Sequence, residues 1–153
     1  SKSTNQIHKS LLRYIKIYKK VSLSETSSEN LRQYLPLIVD RCNSLKEIFD
    51  ASTFFFEADG VREKKALALL DNKSRKILLN FVSAIKSANV TWNSDFLNKF
   101  ITSYCKEGDL NFRDVGIPLR IAITGSTSSP SIANIMEILG EHQTLDRLNI
   151  SVE

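Results

Sequence analysis

The sequence predicts an all-α fold: a helical bundle that continues into a second, smaller helical subdomain. Three observations carry this expectation. Apolar residues recur with the 3.6-residue period of a helix in four separate windows. No stretch of comparable length alternates with period 2. Ser and Asn residues suited to capping stand before several windows, and glycines follow them.

In chain order, Ile7, Leu11, Leu12 and Ile15, with Tyr18, mark the apolar side of a first helix. Its other side carries Lys9, Arg13, Lys16 and Lys20 at i, i+4, i+7 and i+11, one basic stripe. The serine-rich VSLSETSSEN, residues 21–30, reads as a surface loop from which Ser27 or Ser28 opens the next helix. Pro36, inside LRQYLPLIVDRC, should kink that helix or restart it, because proline has no amide to donate. Asn43 or Ser44 opens a third helix, with Glu47 as the partner of a capping box and Leu45, Ile48, Phe49 and Phe56 as its apolar face. Further windows are Ile77–Leu78–Phe81–Val82–Ile85 and, after Asn93 or Ser94, Phe96–Leu97–Phe100–Ile101–Tyr104. Gly60, Gly108, Gly125 and Gly140 are expected to close helices. Between the last two, Ser129 as N-cap and Pro130 as first helical residue should start a short helix.

At 153 residues and 42% apolar content the chain suits one domain or two small subdomains. Its +4 charge is uneven: residues 1–105 hold 17 Lys and Arg against 10 Asp and Glu, and residues 106–153 hold 4 against 7. Six cations and no acid fall in the first 20 residues. The composition shifts along GDLNFRDVGIP, Gly108 to Pro118, so a junction is expected between residues 85 and 115, giving subdomains 1–105 and 106–153. Cys42 and Cys105 lie far apart without a CxxC or His-rich pattern, and both are expected as reduced core residues of a cytoplasmic protein. No apolar run approaches the ~20 residues of a membrane span, and no signal-peptide core is present. A chain opening on Ser1 without Met is expected to be a piece of something longer.

Catalytic and metal motifs are missing from the pattern. There is no glycine-rich phosphate loop, GxSxG or HExxH, and His8 and His142 have no ligand-spaced neighbours, so no catalytic residue and no metal site is expected. Glu57 and Asp59 sit at a helix end without a partner to separate their acidities. Two features invite a ligand. The basic stripe can track phosphates, or it is a plain solvated face. The turn from Thr124 to Pro130 sets backbone groups beside a helix start among small side chains, or it is only a connector.

The segment PLRIAITGSTSSPSIANIMEILGEHQTLDRL, Pro118 to Leu148, resembles the C-terminal end of bacterial-type glutamyl-tRNA synthetases. It carries Pro118-Leu119-Arg120, Thr124-Gly125, Pro130, Leu139-Gly140 and Arg147-Leu148 in the family's order. RCNSLKEIFDASTFFF, Arg41 to Phe56, is similar to a second segment of that family. Where family members usually carry an aromatic-Met pair before Pro-Leu-Arg, this sequence has Gly116-Ile117, and its loop lacks the cation often found after Thr-Gly.

The resemblance implies an anticodon-binding module of a class I aminoacyl-tRNA synthetase, a glutamate–tRNA ligase of protein biosynthesis. ATP and Mg would serve an upstream catalytic domain, and this chain alone would need no cofactor. The partner would be the anticodon loop of glutamate-accepting tRNA, bound by a monomer away from any membrane. By motif, Arg120, Ser129, Pro130 and Ile132 would hold the first anticodon base and Arg41 the third, with Lys9, Arg13, Lys16 and Lys20 on phosphates. An ion pair of Arg41 with Asp40 or Asp50 is the structural alternative. At the level of function, a helical module docking an acidic protein, an enzyme with a dispersed site, and a paralogue serving glutamine tRNA stay open.

Overall fold

The computed structural model describes residues 3–152, so Lys2, one of the six N-terminal cations, lies outside the described residues. Among the described residues all regular structure is helical. They form two compact units, one ending at Glu57 and one beginning at Ala58. The break therefore falls upstream of the 85–115 interval, and the second unit is the larger. GDLNFRDVGIP is no junction. Asp109 turns the chain with φ +53°, the Asn111 amide donates to Asp114 at 2.8 Å, and the new helix already contains Val115 to Pro118.

In the first unit α1 (Thr4–Tyr14) runs into a π-helical turn, Ile15–Lys19, and ends at Lys20, whose φ of 55° is left-handed. α2 (Glu25–Ile38) starts earlier than expected. Ser24 accepts from the Ser27 amide and Glu25 complements the helix N-terminus, so the serine-rich segment is half helix. Pro36 lies within α2, which neither stops nor restarts there and tightens into a 3-10 turn at Val39–Arg41. α3 (Leu45–Asp50) is capped by Ser44; the Glu47 carboxylate takes the Asn43 amide at 2.6 Å, one residue before the usual capping-box position. Phe56 lies beyond α3, past the 3-10 turn Thr53–Phe55. Leu11, Ile15, Leu31, Leu35 and Tyr34 fill the core, with Phe54 and Phe55 packed edge-on against Tyr34. His8 is part-buried, its Nε2 3.0 Å from the Ser28 carbonyl. Cys42 is only half-buried, because its 3-10 turn ends at the surface.

In the second unit α4 (Val61–Leu69) begins at Gly60, whose φ of +88° leads into a helix rather than out of one. α5 (Asn72–Ala88), capped by Asp71, and α6 (Ser94–Glu107), capped by Asn93, follow the predicted windows, although Phe96 is half-exposed. α7 (Phe112–Thr124) is the central helix, touching α4, α5, α6, α8 and α9. Val115, Leu119, Ala122 and Ile123 are fully buried there. α8 (Ile132–Leu139) and α9 (Glu141–Val152) close the unit, and Gly140 between them has φ +83°. Cys105 is buried on α6. The Met136 carbonyl on α8 lies within bonding distance of three donors: the Gly140 amide at 2.9 Å, the Trp92 indole at 2.8 Å and the Thr144 hydroxyl at 3.3 Å. No helix of the described residues is long and apolar enough to cross a membrane.

Candidate nucleic-acid interface

The Thr-Gly segment ends α7 as its sequence demands. Gly125, at φ +78°, donates to the Ile121 carbonyl at 2.8 Å and reverses the chain. An α-helix leaves its last four carbonyls without partners, and here three are satisfied individually. Ile121 has Gly125, Ala122 accepts from the Arg62 guanidinium, and Ile123 accepts from that of Arg147 at 2.8 Å. Both arginines are buried, 7% and 9% exposed, and each sets a cation against the negative end of the helix dipole. Arg62 also pairs with Glu63 at 3.0 Å. Sixty residues of sequence separate Arg62 from Ala122, and nothing local in the sequence announced it.

The loop beyond is bonded to itself. Thr124 Oγ1 donates to the Arg120 carbonyl at 2.7 Å and accepts from the Ser126 amide at 3.2 Å, while Ser126 Oγ accepts from the Ser128 amide at 3.3 Å. Ser126, Thr127 and Ser128 are exposed and form the presented tip. Ser129 and Pro130 do not start α8: Ser131 holds the N-cap position, and the Ser129 hydroxyl donates to the Pro130 carbonyl at 2.8 Å. Pro130 is buried and Ile132 is 1% exposed, so Ile132 belongs to the core.

The Arg120 side chain leans toward the start of α7, as helical side chains do. A Cβ placed on Gly116 would lie 2.9 Å from Arg120 Nη1 and 3.3 Å from the Phe112 ring, so this guanidinium is seated where only glycine leaves room. Partial burial pushes its pKa below the usual arginine value, without discharging it. The structure thus joins Thr124 to Ser129 in one loop and sets the Arg120 side chain one turn behind them. Gly116 entered the motif reading only as a departure from the family's pattern, and Arg62 not at all. A glycine four residues before an arginine inside a helical window was the one available signal, and for Arg62 there was none.

Arg41, in the first unit, is exposed at the end of its 3-10 turn. Asp50 is taken by Lys46 at 2.9 Å, and among the described residues no carboxylate lies within ion-pair distance of Arg41. Its charge is felt by Tyr34, whose hydroxyl pKa burial raises far above the ordinary value while Arg41 opposes the rise. Lys9, Arg13, Lys16 and Lys20 are all exposed, yet only Lys9 and Arg13 keep the α-helical line. Beyond Tyr14 the wider π-turn, and then the left-handed Lys20, break the stripe. Tyr18 lies outside the core at 71% exposed. His142 is a surface residue paired with Asp146 at 3.2 Å.

Comparison with known proteins identifies the family. The family model of the anticodon binding domain matches residues 6–152, through both units. The glutamate–tRNA ligase of Pelagibacter ubique is 31% identical over 144 residues, which is 94% of this chain and 30% of that protein. That of Bradyrhizobium diazoefficiens is 33% identical over 131 residues, 84% of this chain and 27% of the relative. The chain therefore spans less than a third of the curated relatives it matches. A crystal structure of a glutamate tRNA ligase from Elizabethkingia meningosepticum, solved with its amino acid, superposes with a TM-score of 0.73 at 21% identity, over 99% of this chain and 29% of that one. The enzyme from Elizabethkingia anophelis gives 0.70 at 21% identity, over 99% and 28%. These structures share the fold, and with the family model spanning both units the chain belongs to the anticodon binding domain family.

Proposed function

We propose that this chain reads the anticodon of glutamate-accepting tRNA as the C-terminal module of a glutamate–tRNA ligase. The observation that carries the reading is the family match from residue 6 to residue 152, which takes in Arg41 and the Thr124–Ser131 loop together. The ligase acts as a cytoplasmic monomer whose catalytic domain lies upstream in the same chain. ATP and Mg would serve that upstream domain.

Single-stranded bases are read on their Watson–Crick edges by side chains and main-chain groups. Arg120 and Ser129 hold the first anticodon base beside the exposed tip, and Pro130 and Ile132, both buried, fix the turn that carries Ser129. Arg41, exposed and with no carboxylate partner among the described residues, meets the third. Glutamate and glutamine tRNAs differ at that base, C against G. A guanidinium has donors only, so it suits the O2 and N3 acceptors of cytosine and faces the N1 and N2 donors of guanine with its own.

Two anticodon stem-loops that differ only in C or G at the third base test this, titrated at two salt concentrations. The wild type should prefer C, and Arg41→Gln, whose amide also accepts, should narrow the preference by tolerating G. Equal binding of both by the wild type, or an equal loss on both in the variant, would make Arg41 a phosphate or structural contact. Indifference to a scrambled anticodon at either salt concentration would sink the whole reading.

A further inference from the structure

The end of α1 exposes apolar surface that the first unit does not use. Leu11 and Ile15 are 0% and 1% exposed, whereas Ile17 and Tyr18, in the π-turn, are 57% and 71% exposed. The i→i+5 turn shifts the register, so these two residues do not follow Leu11 and Ile15 into the core. They border a groove of about 280 Å³ lined by Ser10, Arg13, Tyr14, Ile17, Tyr18 and Leu45. That is slightly below the roughly 300 Å³ at which small-molecule pockets begin, and is room for one flat ring system.

The walls are aromatic and cationic. The Tyr18 ring lies 5.3 Å from that of Tyr14, and Tyr14 meets Phe49 edge-on at 6.1 Å, so the outermost ring is backed by a half-buried one. Arg13 lines the groove, Lys19 Nζ lies 5.0 Å above the Phe49 ring, and Lys16 and Lys20 are exposed on the same stretch of chain. No acid precedes Glu25 in the sequence, and Asp50 on α3 is already paired with Lys46. An open aromatic face with Arg13 on its wall and exposed lysines on the adjoining chain suits a ligand that is planar and anionic at once. An unpaired nucleotide is such a ligand, because bases stack on aromatic rings while cations follow the phosphates.

We propose that this groove stacks one unpaired RNA base on Tyr18, with the adjoining phosphates on Lys16, Lys19 and Lys20. The site rests on the RNA-binding reading above and adds a contact separate from Arg41 and the Thr124–Ser131 loop. It is tested by fluorescence anisotropy of the 153-residue chain with a glutamate-anticodon tRNA and with a single-stranded oligouridine. Tyr18→Ala should weaken both by about 5- to 100-fold at an unchanged salt slope, because the lost ring is neutral. Tyr18→Phe should retain the affinity. Lys16→Gln combined with Lys20→Gln should flatten the salt slope by roughly one to two units. An oligonucleotide carrying 4-thiouridine should crosslink to the peptide that contains Tyr18.

A wild type that binds the RNAs, with Tyr18→Ala binding them as well, overturns the site alone. So does sedimentation showing self-association that Tyr18→Ala abolishes, since a second copy of the chain would then be the occupant. A wild type that binds neither RNA overturns the function proposed above and this site with it.

Discussion

Two groups of arginines do opposite work, one buried behind a loop of the second unit and one exposed on the first. Behind the Thr124–Ser131 loop, Arg62 and Arg147 are buried with their guanidiniums on the carbonyls that end α7. On the first unit, Arg13 and Arg41 are exposed with no carboxylate partner among the described residues, and Arg32 is held by Glu29 at the surface. A buried guanidinium on backbone carbonyls fixes where a loop begins. An exposed one remains available to a ligand. Arginine count alone would not have separated the bracing arginines from the available ones; burial does.

The strongest way to break this contrast is Arg147→Met. It keeps length and apolar bulk but leaves the Ile123 carbonyl without its donor in a buried setting. The expected loss is about 2–3 kcal/mol, or roughly 5–10 °C in Tm for a chain of this size. Thermal denaturation followed by circular dichroism checks it, and an unchanged Tm would mean that the loop is not braced from inside.

Gly125→Ala attacks the same brace from the loop side. A side chain at φ +78° is strained by roughly 1–2 kcal/mol, and its Cβ would meet Lys65 Cβ at 3.2 Å. The urea midpoint should fall with the slope unchanged. No fall would show that the left-handed turn is not required there.

The smallest effect sharpens the exposed side of the comparison. The Glu29 carboxyl is pulled down to about 2, first by its hydrogen bond from Arg32 and then by that from Gln33. A carboxyl more acidic in the folded state stabilises above its ordinary pKa and loses that contribution as pH falls toward 2. Glu29→Gln should therefore cost a small part of Tm at pH 6 and nothing near pH 2. Because both groups are exposed, 1 M salt should erase the difference, and a loss that survives salt would mark the pair as structural.

What was legible in the sequence follows from the range of the forces involved. The all-α class, the caps at Ser44 and Asn93, and the positive-φ endings at Gly125 and Gly140 depend on residues within one helical turn, and the sequence displays them. The start of α2 was misplaced because Ser24, Ser27 and Ser28 are chemically alike as caps, and only the fold selects Ser24. The break after Glu57 was invisible for a different reason. It is a gap in packing between distant segments, while the composition shift near Gly108 marks only a turn inside the second unit. The site divides in the same way. Motif order located Arg41 and the Thr-Gly loop, but the inward seat of Ile132, the perch of Arg120 over Gly116 and the reach of Arg62 are products of tertiary contact.

The Met136 carbonyl, where an amide, an indole and a hydroxyl converge, ties the residues before α6 to both helices that follow the loop. Elements that share one acceptor tend to open together, so the amides of α8 and of the start of α9 should exchange with deuterium as one cooperative block. Trp92 is the only tryptophan in the chain. Its emission is thus a built-in fluorescent reporter of that corner: a red shift that precedes the loss of helical ellipticity would mark the block behind the loop as the first part of the second unit to come apart.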